Sequence, residues 1–339
     1  MKVPKSSLDF THYPVMLNEV TNICNPKEGE SFIDCTFGGG GYSNALLKYP
    51  NTKVFALDRD NSVLTKAIKI NKKYSKRFSF HNEKFSNLDK IFNKDLQADA
   101  IIFDLGLSSI QLLDMKRGFS FKSKEKIDMN MGLSSISAEE IINKCDEKSL
   151  KMIIKVFGEE KEASKIVKNI IKERKLKKIS KVSDLVKIIE KSKKKNYLKK
   201  INVCTKTFQA LRIFVNKEIS ELIEGIIKAT KLVKPGGKII VVSFHSIEDK
   251  IVKYYFSNYS KDKSKPSRYF PEKNSEKDEI FFEAYKNKLL KPSEKEVKDN
   301  FPSRSAKLRY VTRNNNIFTD PIDFRNKFKK YLKVEKINV

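Results

Sequence analysis

Ser31-Phe-Ile-Asp-Cys-Thr-Phe-Gly-Gly-Gly-Gly-Tyr-Ser43 is the stretch from which the rest of the chain can be read. Phe32 and Ile33 read as the end of a short buried strand. Asp34 follows, and Gly38 to Gly41 form an unbroken glycine run. Ser43-Asn-Ala-Leu-Leu47 then opens a helix, with Ser43 as its expected N-cap. Strand, glycine turn and helix make the unit in which a nucleotide-like ligand lies against bare backbone at a positive helix end.

Two ligand classes compete for that turn. A dinucleotide site asks for G-x-G-x-x-G, and Ser43 stands where the third glycine belongs. S-adenosylmethionine has no phosphate to neutralise and tolerates a carboxylate such as Asp34 near its amino group. Asp34 would repel a pyrophosphate, so the second ligand fits better.

The following strands support this. Lys53-Val-Phe-Ala-Leu-Asp58 reads as a second strand ending in a carboxylate, the place where ribose hydroxyls are bound in doubly wound folds. Asp60 reads as a solvated helix-start residue. Arg77-Phe-Ser-Phe-His81 leads to Phe85, and Ala98-Asp-Ala-Ile-Ile-Phe-Asp104 is a buried run ending in another carboxylate. Asp34, Asp58, Phe85 and Asp104 therefore fall one per strand at the carboxyl ends, where open α/β sheets bind ligands.

A chain of 339 residues is long enough for one large domain or two ordinary ones. No apolar run approaches the ~20 residues needed to span a bilayer, and the first residues carry no apolar signal segment. The cysteines Cys24, Cys35, Cys145 and Cys204 show no C-x-x-C spacing, which points to a reducing cytoplasm, no disulfide framework and no metal site. The formal net charge of +28 suits a phosphate backbone as partner. A lysine-biased composition would also produce it.

Between the fourth strand and its continuation the pattern turns helical. Ser137 caps a helix that begins Ala138-Glu-Glu-Ile141. Amphipathic periods follow over Glu160–Lys175 and Val182–Lys195. The stretch 165–200 carries 15 Lys or Arg against 3 acids, a candidate track for RNA. Thr205 starts a helix expected to reach about Lys231. Lys234-Pro-Gly-Gly237 feeds a fifth strand, Lys238–Ser243. Ile280–Tyr285 reads as a sixth strand, paired antiparallel with a seventh inside Pro302–Thr312. The fold class is thus α/β, a seven-stranded mostly parallel sheet with an inserted all-α domain. Residues 1–112 and 213–339 form the sheet domain and 113–212 the insertion.

Several motifs stand in order along the chain: His12-x-Pro-Val15, Asp34-x-Thr-Phe-Gly-x-Gly-Gly41, Phe103-Asp-Leu-Gly-x-Ser-Ser109 followed by Gln111, and Arg117-Gly-Phe-Ser-Phe121. Then come Thr207-Phe-Gln-Ala-Leu-Arg-Ile-x-Val-Asn216, Pro235-Gly-Gly237 with Ser243-Phe-His-Ser-x-Glu-Asp249, and Arg304-Ser-Ala-Lys-Leu-Arg309. With them the chain resembles, from His12 to Arg313, the bacterial methyltransferases that modify cytosine N4 in small-subunit (16S) ribosomal RNA, the MraW or RsmH family.

The resemblance implies a class I Rossmann-like methyltransferase whose inserted helices meet the substrate. Its cofactor is S-adenosyl-L-methionine, and its partner small-subunit ribosomal RNA or the 30S particle near the decoding centre. It also implies a cytoplasmic location, no membrane partner, and leaves a homodimer open. The implied cofactor contacts are Gly40, Gly41, Tyr42, Asp58, Phe85, Asp104 and Gln111, to which the residues themselves add Asp34. Expected RNA contacts are Arg117, Lys206, His245 and Arg304. Tyr42 stands where the family usually has histidine, and Asp128-Met-Asn-Met-Gly132 departs from the family's DMRMD. Lys206 replaces an arginine and loses its bidentate fork.

The amine of cytosine is a poor nucleophile, so a site must orient it and accept its proton. Asp104 is one candidate acceptor and His245, at a strand tip beside Ser243 and Ser246, the other. No cysteine is placed for attack on ring carbon. The rival readings are the same fold acting on a ribosomal protein or DNA, or a non-catalytic RNA-binding assembly factor.

Overall fold

The computed structural model describes residues 14–92, 96–193, 202–261, 279–287 and 289–339. His12 and the end of the basic stretch, 194–200, lie outside the described residues.

Strands β1 (Ser31–Asp34), β2 (Lys53–Leu57), β3 (Phe78–His81), β4 (Ala98–Asp104), β5 (Val233–Ser243) and β6 (Lys307–Thr312) form one sheet. Their order is β3-β2-β1-β4-β5-β6. The first five run parallel, and β6 lies antiparallel beside β5. The chain leaves β1 toward β2 and β3, then returns to lay β4 on the other side of β1. That reversal opens a crevice at the carboxyl ends of β1 and β4.

Alternate strand residues feed two cores. Phe32, Val54, Ala56, Ala100, Ile102 and Ile240 pack toward α1 (Leu17–Cys24), α2 (Gly41–Leu46) and α3 (Leu64–Lys73). A short α4 (Leu88–Ile91) follows β3. Between β4 and β5 come α5 (Ser109–Leu113), α6 (Ala138–Lys144), α7 (Glu147–Phe157), α8 (Ala163–Leu176), α9 (Val182–Ser192), α10 (Thr205–Asn216) and α11 (Glu218–Leu232). After β5 come α12 (Ser246–Asn258), α13 (Glu294–Asp299), α14 (Ile322–Lys327) and α15 (Lys329–Glu335).

The second core starts on the opposite sheet face with Ile33, Ile101, Phe103, Ile239 and Val241. It runs without a break into Ile153, Ile154, Phe157, Ile166 and Leu211 of the helical block. Helix α10 crosses the boundary read between 212 and 213, so a helix rather than a linker joins the two parts.

Six strands stand where seven were expected. The run at 280–285 is not one of them. Phe281 and Phe282 are both fully buried, whereas neighbours in a strand point to opposite faces. Phe281 stacks on Tyr259 at 5.4 Å, and Phe282 packs edge-on to Phe256 at 5.8 Å. Phe282 makes isolated bridges to Ser260 and Arg313. The segment is an aromatic plug against α12, and β6 takes β5 as its partner instead.

Two helix boundaries also moved. Ser43 does not cap α2; Gly40 precedes the helix, and the buried Ser43 hydroxyl donates to Asp34 at 2.7 Å. The helix begun at Thr205 breaks at Lys217, which adopts φ 53° between α10 and α11.

The start of α11 is held from the far end of the chain. Glu335 Oε1 accepts the Ile219 N–H at 2.9 Å and its Oε2 accepts the Ser220 N–H at 3.0 Å. These are the orphan donors of a helix N-terminus, so Glu335 caps it in trans. Tyr331 of α15 stacks on Phe157 of α7 at 6.4 Å, tying the same helix to the helical block. Replacing Glu335 with alanine is expected to lower the free energy of unfolding by about 1–2 kcal/mol, read as a lower urea midpoint with an unchanged slope.

Candidate active site

A cleft opens at the strand tips, with Gly38, Gly41, Tyr42, Asp58, Phe85, Asp104 and Gln111 in its wall. It is built from the turn after β1 upward. Gly38 donates its N–H to Asp58 Oδ2 at 2.7 Å, and Asp60 donates its N–H to Asp58 Oδ1 at 2.9 Å. Burial nevertheless pushes the Asp58 carboxyl up to about 6.

The glycines divide their work. Gly40 has φ 76°, and a Cβ there would come 2.6 Å from Ile70 Cδ1, so it packs inward and does not line the cleft. At Gly41 a Cβ would come 2.5 Å from Pro14 Cγ, so glycine lets the entry segment lie on α2.

Phe85 stands edge-on to Phe103, with centroids 5.3 Å apart. It leans on α11 at Gly225, where a Cβ would come 2.5 Å from the Phe85 ring. Ser86 beside it donates its hydroxyl to Glu221 Oε1 at 2.9 Å, so α11 fixes the ring's position.

Asp104 ends β4. Its N–H donates to Thr36 Oγ1 at 2.7 Å, and its buried Oδ1 has no hydrogen-bond partner. Burial, and next the charge of Asp34, push its carboxyl well above the usual range. The Tyr42 hydroxyl lies in hydrogen-bond range of Asp104 and donates its own proton to the Val15 carbonyl.

Other expected contacts fall elsewhere. Asp34 is fully buried behind the turn, accepting from the Ser43 hydroxyl and, at 3.3 Å, from the Thr36 N–H. It does not line the cleft, because the polar groups that satisfy it lie inside the turn. Gln111 reaches the wall, but both ends of its amide are engaged. Its Oε1 accepts the Ser108 N–H at 3.0 Å and its Nε2 donates to Asp60 at 2.7 Å.

Arg117 does not face solvent either. It is paired with Asp60, donates to the Asn130 carbonyl at 2.7 Å and lies over the Phe119 ring. The residue read as a solvated helix start, Asp60, is 4% exposed and is the hub of this network. Lys206 is exposed and donates to the Glu159 carbonyl at 2.8 Å. Arg304 is exposed, its guanidinium 4.1 Å from the Phe301 ring centroid, flanked by the cleft residues Asn300 and Pro302.

His245 is the N-cap of α12. Its Nδ1 accepts the Glu248 N–H at 3.4 Å, and Glu248 Oε2 answers by accepting the Phe244 and His245 N–H groups. Glu248, not His245, lines the cleft. Glu218 lines it too, paired through both oxygens with Arg212 at 2.8 Å. Donor atoms of Glu218, His245 and Glu248 converge within 4.8 Å. Arg212 already supplies the counter-charge there. Sequence reasoning named His245 of this cluster and gave Glu248, Glu218 and Arg212 no role, although His-x-x-Glu after a strand carries the spacing of a capping box.

The MraW methylase family profile matches residues 9–314. The ribosomal RNA small subunit methyltransferase H of Rickettsia africae is 42% identical over 301 residues, covering 88% of this chain and 97% of that protein. Its counterpart in Rickettsia akari is 41% identical over 307 residues, with the same coverage. A solved rRNA methylase from Streptococcus thermophilus matches with a TM-score of 0.40 and 11% identity, over 89% of this chain and 98% of that one. That likeness is too loose to bear on function.

Burial pushes Asp34 from 3.8 up to about 6, against the opposing hydrogen bonds from Ser43 and Thr36. A carboxyl raised in this way lends stability that is complete below its unfolded pKa and lost as pH climbs through the folded one. Asp34→Asn is expected to remove about 3 kcal/mol of that loss between roughly pH 4 and pH 7. Urea unfolding of both proteins across that window checks it.

Proposed function

Since this chain belongs to the MraW methylase family, we propose that it transfers a methyl group from S-adenosyl-L-methionine to the N4 amine of a cytidine in small-subunit ribosomal RNA. The observation that carries this reading is the convergence of Asp58, Phe85, Asp104 and the glycine turn on one cleft at the reversal point of the sheet. The match to methyltransferases of the small ribosomal subunit, along nearly their whole length, supports the substrate class.

The residues present fit a sulfonium-bearing adenosine. Asp58, its carboxylate aligned by two backbone N–H groups, would accept the ribose hydroxyls. Phe85, braced by Phe103 and Gly225, would pack on adenine. The unpartnered Asp104 Oδ1 offers a polar contact near the methionine end. Carboxyl groups around the turn disfavour a pyrophosphate. When bound, the sulfonium supplies an electrophilic methyl group. This chain's part is to hold the amine in line and to move its proton. The target base must leave its stack to enter a cleft of this kind.

The partner is the RNA or the 30S particle. The exposed lysines Lys168, Lys172 and Lys175 of α8 supply charge for its backbone. No helix among the described residues is long and apolar enough to cross a membrane. Work on ribosomal RNA agrees with a cytoplasmic site of action.

Purified protein given S-adenosylmethionine and unmodified 30S particles is expected to yield N4-methylcytidine, read by mass spectrometry of RNA nucleosides. Methyl transfer to ribosomal protein or duplex DNA alone would overturn the reading, as would calorimetry without cofactor binding. Asp58→Ala is expected to weaken cofactor binding about 10- to 100-fold, the loss of one or two charge-assisted hydrogen bonds, with the unfolding midpoint unchanged. Replacing Lys168, Lys172 and Lys175 by glutamate is expected to reduce both RNA affinity and its salt dependence.

A further inference from the structure

The start of α12 gathers four ionisable side chains, Arg212, Glu218, His245 and Glu248, of which Glu218 and the buried Glu248 line the cleft. Glu248 is 3% exposed. Its Oε2 is pinned by the Phe244 and His245 N–H groups at 2.8 and 3.2 Å. Its Oε1 lies 3.1 Å from His245 Nε2, which is buried and not aligned for a hydrogen bond. Because His245 Nδ1 accepts from backbone, Nε2 is the ring nitrogen left to carry a proton, close to that carboxylate oxygen. Arg212 stands behind, paired with Glu218. A capping role alone needs Oε2 and leaves Oε1 over.

We propose that Glu248 is the proton acceptor for the cytosine amine, with His245 and Arg212 as positioning residues; this rests on the function proposed above. The N4 lone pair forms the new N–C bond to the methyl carbon. The methyl–sulfur bond breaks with its electron pair on sulfur, and the sulfonium becomes a neutral thioether. The N4 proton passes to Glu248, which becomes the neutral acid and returns the proton to water. The positive charge lost at sulfur is matched by the negative charge lost at the carboxylate.

The alternative acceptor is Asp104, and the surroundings of the two acids differ. Burial first, and then the charges of Asp34 and Glu248, push the Asp104 carboxyl well above the usual range, against its ionised form. Burial would raise Glu248 as well, but the His245 ring, the Arg212 guanidinium and the Phe244 N–H outweigh it and hold the group below its usual range. Glu218, the remaining acid beside it, is neutralised by Arg212. Two acids lining one cleft and shifted in opposite directions differ in how readily each takes a proton as carboxylate, and Glu248 is the one held ionised.

The test is single-turnover methylation of unmodified 30S particles by wild type, Glu248→Gln and Glu248→Asp, from about pH 5 to about pH 9. Cofactor affinity and unfolding midpoint are measured on the same samples. With the cofactor saturating at every pH, so that the Asp58 titration near 6 drops out, the wild-type rate is expected to be flat across this range. Glu248→Gln is expected to fall about 10²- to 10³-fold and to rise with pH as solvent takes over the proton, with cofactor affinity and midpoint unchanged. Glu248→Asp, which keeps the charge and the cap, is expected to recover part of the rate. A Glu248→Gln rate within about threefold of wild type, or one still flat with pH, would overturn the assignment. So would a Glu248→Asp protein that is fully folded and as slow as Glu248→Gln. Wild type that makes no N4-methylcytidine would overturn the proposed function and this assignment with it.

Discussion

The hydrogen bond from the Gly38 amide to the Asp58 carboxylate is the tie on which the cleft depends. It joins the turn after β1 to the tip of β2 and sets the spacing of two strand ends. The same carboxylate receives the Asp60 N–H, and Asp60 in turn grips Gln111 and Arg117. Arg117 holds the Asn130 carbonyl, while Asn216 of α10 bonds the Met131 N–H at 2.8 Å and the Met129 carbonyl at 2.8 Å. One chain of polar contacts thus runs from the second strand into the inserted helices. Walls drawn from distant parts of the sequence are held in a fixed relation by buried groups that cannot be left unpaired without cost.

The electrostatics of the molecule are layered. The chain as a whole is strongly basic, with a formal charge of +28. Its cleft at the strand tips gathers acidic side chains, among them Asp58, Asp104, Glu218 and Glu248. A cationic small ligand suits the inside and a polyanion the outside. The two preferences do not conflict, because solvent and ions screen the lysine surface while the buried acids act over a few ångströms.

Much of the core was legible because strand tips and glycine turns are local signals. Asp58, Phe85, Asp104 and Gly41 reach one cleft as their positions at strand ends require. The errors share a cause. Ser43 looked like a cap and Asp60 like a solvated helix start, since each carries the residue type of that role. Tertiary contacts gave both a different partner: Ser43 satisfies buried Asp34, and Asp60 anchors Arg117. Phe281 and Phe282 fitted a strand by composition, but two aromatic pockets claimed neighbouring side chains and ended the pattern. Glu248 sat inside a quoted motif without a role, because a capping box and a proton acceptor look alike until the cleft wall is drawn.

By itself the sequence determined the parallel α/β order, the glycine turn, the acids at the tips of β1, β2 and β4, and the helical insertion. Each of these is set by periodicity and by neighbours a few positions apart. Only the tertiary structure decided which polar side chains face the cleft and which lie behind it. That choice depends on which buried donors and acceptors must be satisfied across the fold, such as the Ile219 and Ser220 amides met by Glu335 from the far end of the chain. Such pairings carry no local signature, because the partner is selected by packing and not by spacing.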